Sequence, residues 1–186
     1  MKSIAHISKA LLVCALFSTV MMTSVAAESK NLPIRTSPIP KTTEGVPHVQ
    51  LGVKPNPDLS AELLARVSGI PDVEIRDTVI SLPGAHGFWL GDNVTLVNPQ
   101  VIVGGREFAH VHPDGSLHAA LPPELAVKAV EAGWATPHPW ANQREGWEGF
   151  VMIYTPSSEE ELGVVFELIL GSYNFVTGRD MSFQTR

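Results

Sequence analysis

The chain has 186 residues, 44% of them hydrophobic, with 13 basic and 19 acidic side chains and one cysteine. A net charge of −6 without any basic tract excludes nucleic acid and anionic membrane surfaces as natural partners. One cysteine excludes an internal disulfide framework, so stability has to come from a buried core.

In chain order, the first element is an export signal. Lys2 and Lys9 make a positive start, Ala10 to Met22 is an apolar run too short to span a bilayer, and Val25-Ala26-Ala27 offers small residues for cleavage. Residues 1–27 therefore read as a cleavable signal peptide. Cys14 follows Val13 rather than the small residue a lipoprotein site prefers. The expected location is secreted or periplasmic, with no stable membrane anchor after cleavage. Loss of Lys2 and Lys9 takes the net charge from −6 to −8.

Residues 28–57 read as a proline-rich leader, either a tether or an arm lying over the domain. Pro33, Pro38, Pro40, Pro47, Pro55 and Pro57 each fix φ and remove a backbone donor, which suits neither helix nor central strand. Residues 58–186 follow as one domain. Leu59, Leu63 and Val67 recur every four residues, so Asp58 to Ser68 is a short helix stopped by Gly69 and Pro71. Strand-like runs come next: Val73–Ile75, Thr78–Leu82, Gly87–Leu90, Val94–Val97, Val101–Val103, Arg106–His112 and Leu117–Leu121. Pro122-Pro123-Glu124 opens a second helix closed by Gly133, and Phe150–Tyr154 is a buried strand. Ser157 followed by Glu160 forms a capping box for a last helix that buries Leu162, Val165, Phe166, Ile169 and Leu170. The order predicts a single α+β domain: a largely antiparallel sheet with helices packed on one face.

The segment from Arg106 to Leu121 carries the chemistry. Pro113-Asp114-Gly115 is a three-residue turn that pairs His112 with Ser116 and His110 with His118. Alternation then puts Ala109, Val111, Leu117, Ala119 and Leu121 on an apolar face. Phe108, His110, His112, Ser116, His118 and Ala120 take the other. Three imidazoles converging there suit either a transition metal or acid–base work near neutral pH. If a metal is present, His110, His112 and His118 are its ligands. Gly104 followed by His110-x-His112 echoes a first cupin motif, but Ser116 and Leu117 stand where that motif needs a glutamate, and no second motif follows. Away from the core face, truncating His110 or His118 to alanine is expected to cost about 1 kcal/mol or less.

From about Gly105 to Gly178 the chain resembles the luciferase domain of luminous fungi, the enzyme that oxidises 3-hydroxyhispidin. The resemblance lies in Arg106-Glu107-x-Ala109-His110-x-His112, Leu117-His118, Gly133-Trp134, His138-Pro139, Tyr154-x-Pro156 and Glu159-Glu160-Glu161, with Val165 and Ser172 beyond. It implies an enzyme that joins O₂ to an electron-rich hydroxypyrone without ATP or flavin. In that scheme a base removes an enolic or phenolic proton, the anion reacts with O₂, and a cyclic peroxide loses CO₂. The implied catalytic group is His110, His112, His118, His138 and Glu107; Arg106, Ser116, Trp134 and Tyr154 are the implied substrate contacts. Here the turn between the histidine strands is shorter than in the fungal family, Thr136-Pro137 precedes His138, and Ser157 replaces a basic residue. The expectation is therefore a non-luminous, oxygenase-like enzyme on a small phenolic or pyrone compound, needing no cofactor. The alternatives are a module that binds a small molecule or metal without turnover, and an oxygenase or hydrolase that uses a divalent transition metal held by histidines.

Overall fold

The computed structural model describes residues 32–182; the expected signal peptide and the first residues of the leader lie outside them. No described helix is long and apolar enough to cross a membrane. Six strands form one antiparallel sheet in the order β1-β2-β3-β4-β6-β5. They are β1 (Val73–Asp77), β2 (His86–Leu90), β3 (Glu107–Val111), β4 (Leu117–Ala120), β5 (Ala135–Pro137) and β6 (Phe150–Ile153). The helices are α1 (Pro57–Ser68), α2 (Pro123–Glu131) and α3 (Glu159–Thr177). This is the α+β arrangement that the sequence predicts.

The long helix α3 lies on β3 and β4, with α1 against α3 and β1, and α2 beside β5. Its buried stripe runs through Leu162, Val165, Phe166, Ile169, Tyr173 and Val176 and meets Phe88, Ala109, Leu117, Ala119 and Val151 from the sheet. Each such large side chain taken out of water contributes about 1.5–3 kcal/mol, so this face supplies most of the folding drive. Helix ends follow local chemistry. The Asn56 side chain accepts the Asp58 amide before Pro57 opens α1, and Gly178 ends α3 at φ +70°. The capping box is one residue later than expected. Ser158, not Ser157, accepts the amide of Glu161, while the Glu161 carboxylate takes the amide and hydroxyl of Ser157.

Three predicted strands are not strands. In Thr78–Leu82 the amides of Val79 and Ile80 are donated to side-chain oxygens of Glu107 and Thr78, which removes them from any ladder. Val94–Val97 is a turn and loop whose Val97 amide reaches Val176 at the end of α3. Pro99 starts a single 3₁₀ turn, Pro99–Val101, where Val101–Val103 was expected to extend. Conversely, β5 carries no strand signal in the sequence. It is three residues long, contains Pro137, and sits at the sheet edge, where a missing donor is tolerated.

The hairpin register is Ala109↔Ala119, His110↔His118 and Val111↔Leu117, with Gly115 at φ +84° closing the turn. One expectation fails. Phe88 pairs with Ala109 but Trp89 pairs with Glu107, so Phe108 is the extra residue of a β-bulge. The bulge turns Phe108 away from the histidines into the helix-covered core, where its ring meets Tyr173 at 6.0 Å. It also brings Glu107 onto the histidine face.

That second face is covered by the leader. Trp134 Nε1 donates to Pro33 O, and the Arg35 amide donates to Ala132 O. The Arg35 guanidinium is buried between Thr155 O and Glu161, 3.1 Å from the carboxylate. Farther along, Thr42 bridges Gln50 to close a small loop, and Gln50 exchanges two hydrogen bonds with Thr155. The tip of that loop, Val46-Pro47-His48, enters the cavity described next.

Candidate functional site

Beneath the arm lies a cavity of about 220 Å³. Its floor is His110, His112 and His118 from the hairpin; its walls include His48, His138, Trp140 and Phe150. All five imidazoles are buried. The cavity fits a substituted single ring, since a dry cavity of ~150 Å³ takes one benzene.

Two chains of polar contacts set the proton positions. Glu107 accepts from Thr78 Oγ1 and Val79 N, and its Oε1 stands 3.0 Å from His110 Nδ1. The contact is electrostatic, without hydrogen-bond alignment, and the negative charge favours the proton on Nδ1, leaving Nε2 of His110 as an acceptor. That nitrogen is 3.1 Å from His118 Nδ1, which must then donate. The lone pair of His118 is left on Nε2, which is buried and has no hydrogen-bond partner among the described residues. The second chain starts at Asp114. Its Oδ1 takes the amide and the hydroxyl proton of Ser116, so Ser116 Oγ can only accept from His112 Nδ1 at 3.0 Å. The lone pair of His112 therefore also sits on Nε2. His138 is fixed oppositely, its Nδ1 accepting the Trp140 amide.

Four of the rings, His48, His112, His118 and His138, are held neutral at neutral pH. Burial, then repulsion from His110, takes His112 down to about 4, with Asp114 opposing. Burial and the neighbouring rings take His138 to about 3. His118 is lowered well below its ordinary value, mainly by burial, and His48 is lowered by burial too. Lone pairs at His112 Nε2 and His118 Nε2 and a donor at His138 Nε2 thus share one small space. Two sets of three rings each offer nitrogens within 4.8 Å of one another: His110, His112 and His118, and His48, His118 and His138.

Gly87 makes room for the first chain. It pairs with His110 across the β2–β3 ladder. A Cβ there would stand 2.8 Å from Glu107 Cδ and 2.6 Å from Trp89 Nε1, so a side chain would push the carboxylate off its histidine.

Of the residues singled out in the sequence, His110, His112, His118 and His138 meet in the cavity, with Glu107 behind His110 and Ser116 behind His112. Three stand elsewhere. Arg106 binds the carbonyls of Leu90 and Val94 and braces a loop. Trp134 and Tyr154 flank Arg35, with ring centroids 5.2 and 6.0 Å from the guanidinium, and so hold down the arm. The expected truncation cost also changes: the histidine face is as dry as the core, so a lost partner there costs about 1–3 kcal/mol. His48 escaped sequence reasoning because it lies in a stretch without periodicity, about sixty residues before the hairpin. Its only signal is a histidine flanked by prolines and valines. Phe150 and Trp140 were likewise unmarked.

Comparison with known proteins agrees with this layout. Residues 105–172, which include the hairpin, His138 and the first part of α3, match the family model described as luciferase domain. Proteins named luciferase from Armillaria gallica, Armillaria ostoyae and Armillaria mellea are each 30% identical over 167 aligned residues, covering 79% of this chain and 62% of theirs. The chain therefore spans about 62% of the length of the curated relatives it matches. No solved structure matches.

Proposed function

Because the chain belongs to the luciferase-domain family, we propose that it is an O₂-using oxidoreductase acting on a small phenolic or pyrone compound in the histidine cavity. The observation that carries the reading is the pair of relays, each starting at a carboxylate and ending in a lone pair on an imidazole. His112 is the base in this reading. The Asp114–Ser116 relay holds its Nδ1 proton and aims basicity at Nε2 on the cavity wall. It removes an enolic or phenolic proton, and Asp114 steadies the imidazolium that results. Phe150 and Trp140 supply flat apolar walls for the ring, and the donor at His138 Nε2 faces the oxygen that gains charge. The anion is the form that reacts with O₂. The arm keeps water from it.

The shortened hairpin turn and the cavity's modest volume favour a substrate of about one ring, and a reaction without light. The signal-like residues 1–27 support a working protein outside the cytoplasm; N-terminal sequencing of the protein recovered from its cell tests that by looking for a start near Glu28. The activity test is oxygen uptake with hydroxypyrones and catechols. Wild-type protein consumes O₂ with at least one of them, and His112→Ala loses the rate by the 10²–10⁴-fold typical of a missing general base. Tight binding of these compounds with no uptake would make the cavity a binding module instead.

A further inference from the structure

We propose that His48, His118 and His138 hold a divalent first-row transition metal, with the arm supplying one ligand and the cavity the open coordination position. The proposal rests on the geometry of these rings and not on the oxygenase reading.

Three observations carry it. First, His48 Nδ1 and His118 Nε2 are both buried and both without a hydrogen-bond partner among the described residues. A buried polar nitrogen left unpaired is costly, and two in one small space point to a missing common partner. His138 presents Nε2 to the same space, and a metal there would displace the proton that the Trp140 amide's bond to Nδ1 leaves on Nε2, giving up that one bond. Second, the three rings surround one point. His48 stacks beside His118 at 5.4 Å, and His138 meets both edge-on, at 5.2 and 4.5 Å between centroids. Their ligand nitrogens lie within 4.8 Å. Metal–nitrogen bonds of about 2.0–2.1 Å put tetrahedral ligand atoms about 3.4 Å apart, so the rings need close by little more than ~1 Å. Third, the outer shell is in place. A ligating histidine ordinarily gives its other N–H to an acceptor that fixes the tautomer. His118 does so to His110, which is in turn held by Glu107.

The other group, His110, His112 and His118, fits a metal less well. His110 Nε2 and His118 Nδ1 already face each other at 3.1 Å with a proton between them, and His112 Nδ1 is committed to Ser116. An ion there would break ring-to-ring and ring-to-hydroxyl bonds, whereas the first site gives up only the Trp140 amide's bond to His138. Three neutral imidazoles without thiolate or carboxylate select for zinc, copper, iron or nickel over magnesium or calcium.

Equilibrium dialysis of the full chain against zinc and cobalt(II), followed by elemental analysis, should find one metal per chain and a Tm that rises with metal concentration. His48→Ala and His138→Ala should each weaken binding at least tenfold, while His112→Ala retains it. Binding lost in a folded His112→Ala protein, or kept in both His48→Ala and His138→Ala, overturns the assignment; so does a wild-type chain that takes up no metal. Should the arm variant fail to fold, anomalous scattering from zinc-loaded wild-type crystals decides without any substitution. An ion between His48, His118 and His138 supports the site, and an ion anywhere else sinks it. Oxygen uptake is not the readout, so a failure to bind metal leaves the proposed oxidation standing; a bound metal would take the place of the His138 Nε2 proton.

Discussion

Along β3, β4 and β6 the two faces of the sheet are both buried, by different means. The helix side is an apolar contact of α1 on β1 and of α3 on β3 and β4, with α2 beside β5, and it is stable because hydrocarbon has left water. The histidine side is roofed by a leader with little regular structure, held at a few points: Pro33 on Trp134, Arg35 on Glu161 and Thr155, and Gln50 on Thr155. Beneath that roof the sheet carries imidazoles and a carboxylate whose burial costs free energy unless each is paired. One face makes the fold, and the other uses the stability so gained to keep polar groups dry. The single bulged residue, Phe108, is where the two requirements meet: its ring goes to the core so that Glu107 can go to the site.

That division can be tested by breaking one face at a time. The largest effect belongs to the helix side. Phe88→Ala empties a fully buried position and should lower unfolding free energy by about 3–5 kcal/mol in urea titrations. Protein that remains folded should keep its substrate affinity. A loss of affinity out of proportion to unfolding would show that the faces are not separable. On the other side, His110→Ala cuts the chain from Glu107 to His118 and should cost about 1–3 kcal/mol, with oxygen uptake falling far more than stability. An unchanged rate in a stable variant would remove the enzyme reading.

Acid should separate the faces further. His112 and His138 have folded values of about 4 and about 3, below the ordinary 6.5. Between those limits the unfolded chain binds protons that the folded chain refuses, so stability falls as pH drops from about 6.5 toward 4. In chelator-treated protein the Tm should decline over that window, and a His112→Ala variant should decline less steeply. A flat Tm across it would mean that the rings are not held neutral by burial. The smallest effect is reserved for Tyr154, which stacks near Arg35 rather than in the cavity. Tyr154→Phe should cost no more than about 0.5–1.5 kcal/mol in melts and leave KM unchanged.

Much of this molecule is local in origin and so was legible in the residues. Period-3.6 stripes mark all three helices, because a helix satisfies its own backbone and needs only one apolar face, and capping side chains mark the starts of α1 and α3. Pro113-Asp114-Gly115 sets the hairpin register through turn geometry alone, and that register is enough to put His110 opposite His118. The family resemblance, likewise carried by short spaced motifs, agrees with the matched relatives. What the residues could not announce is whatever depends on a partner distant in sequence. Thr78–Leu82 has the composition of a strand and is a loop because Glu107, nearly thirty residues on, takes the Val79 amide, and Thr78 takes that of Ile80. Trp134 and Tyr154 have the chemistry of substrate platforms and instead pin Arg35. Alternation assigned Phe108 to the histidines; only cross-strand pairing with β2 reveals the extra residue. The histidine face itself was expected to be open, and only the tertiary structure roofs it and adds His48. A strand's own sequence fixes which side chains share a face. Which face is dry, and what completes it, is decided by the segment that comes to lie on it.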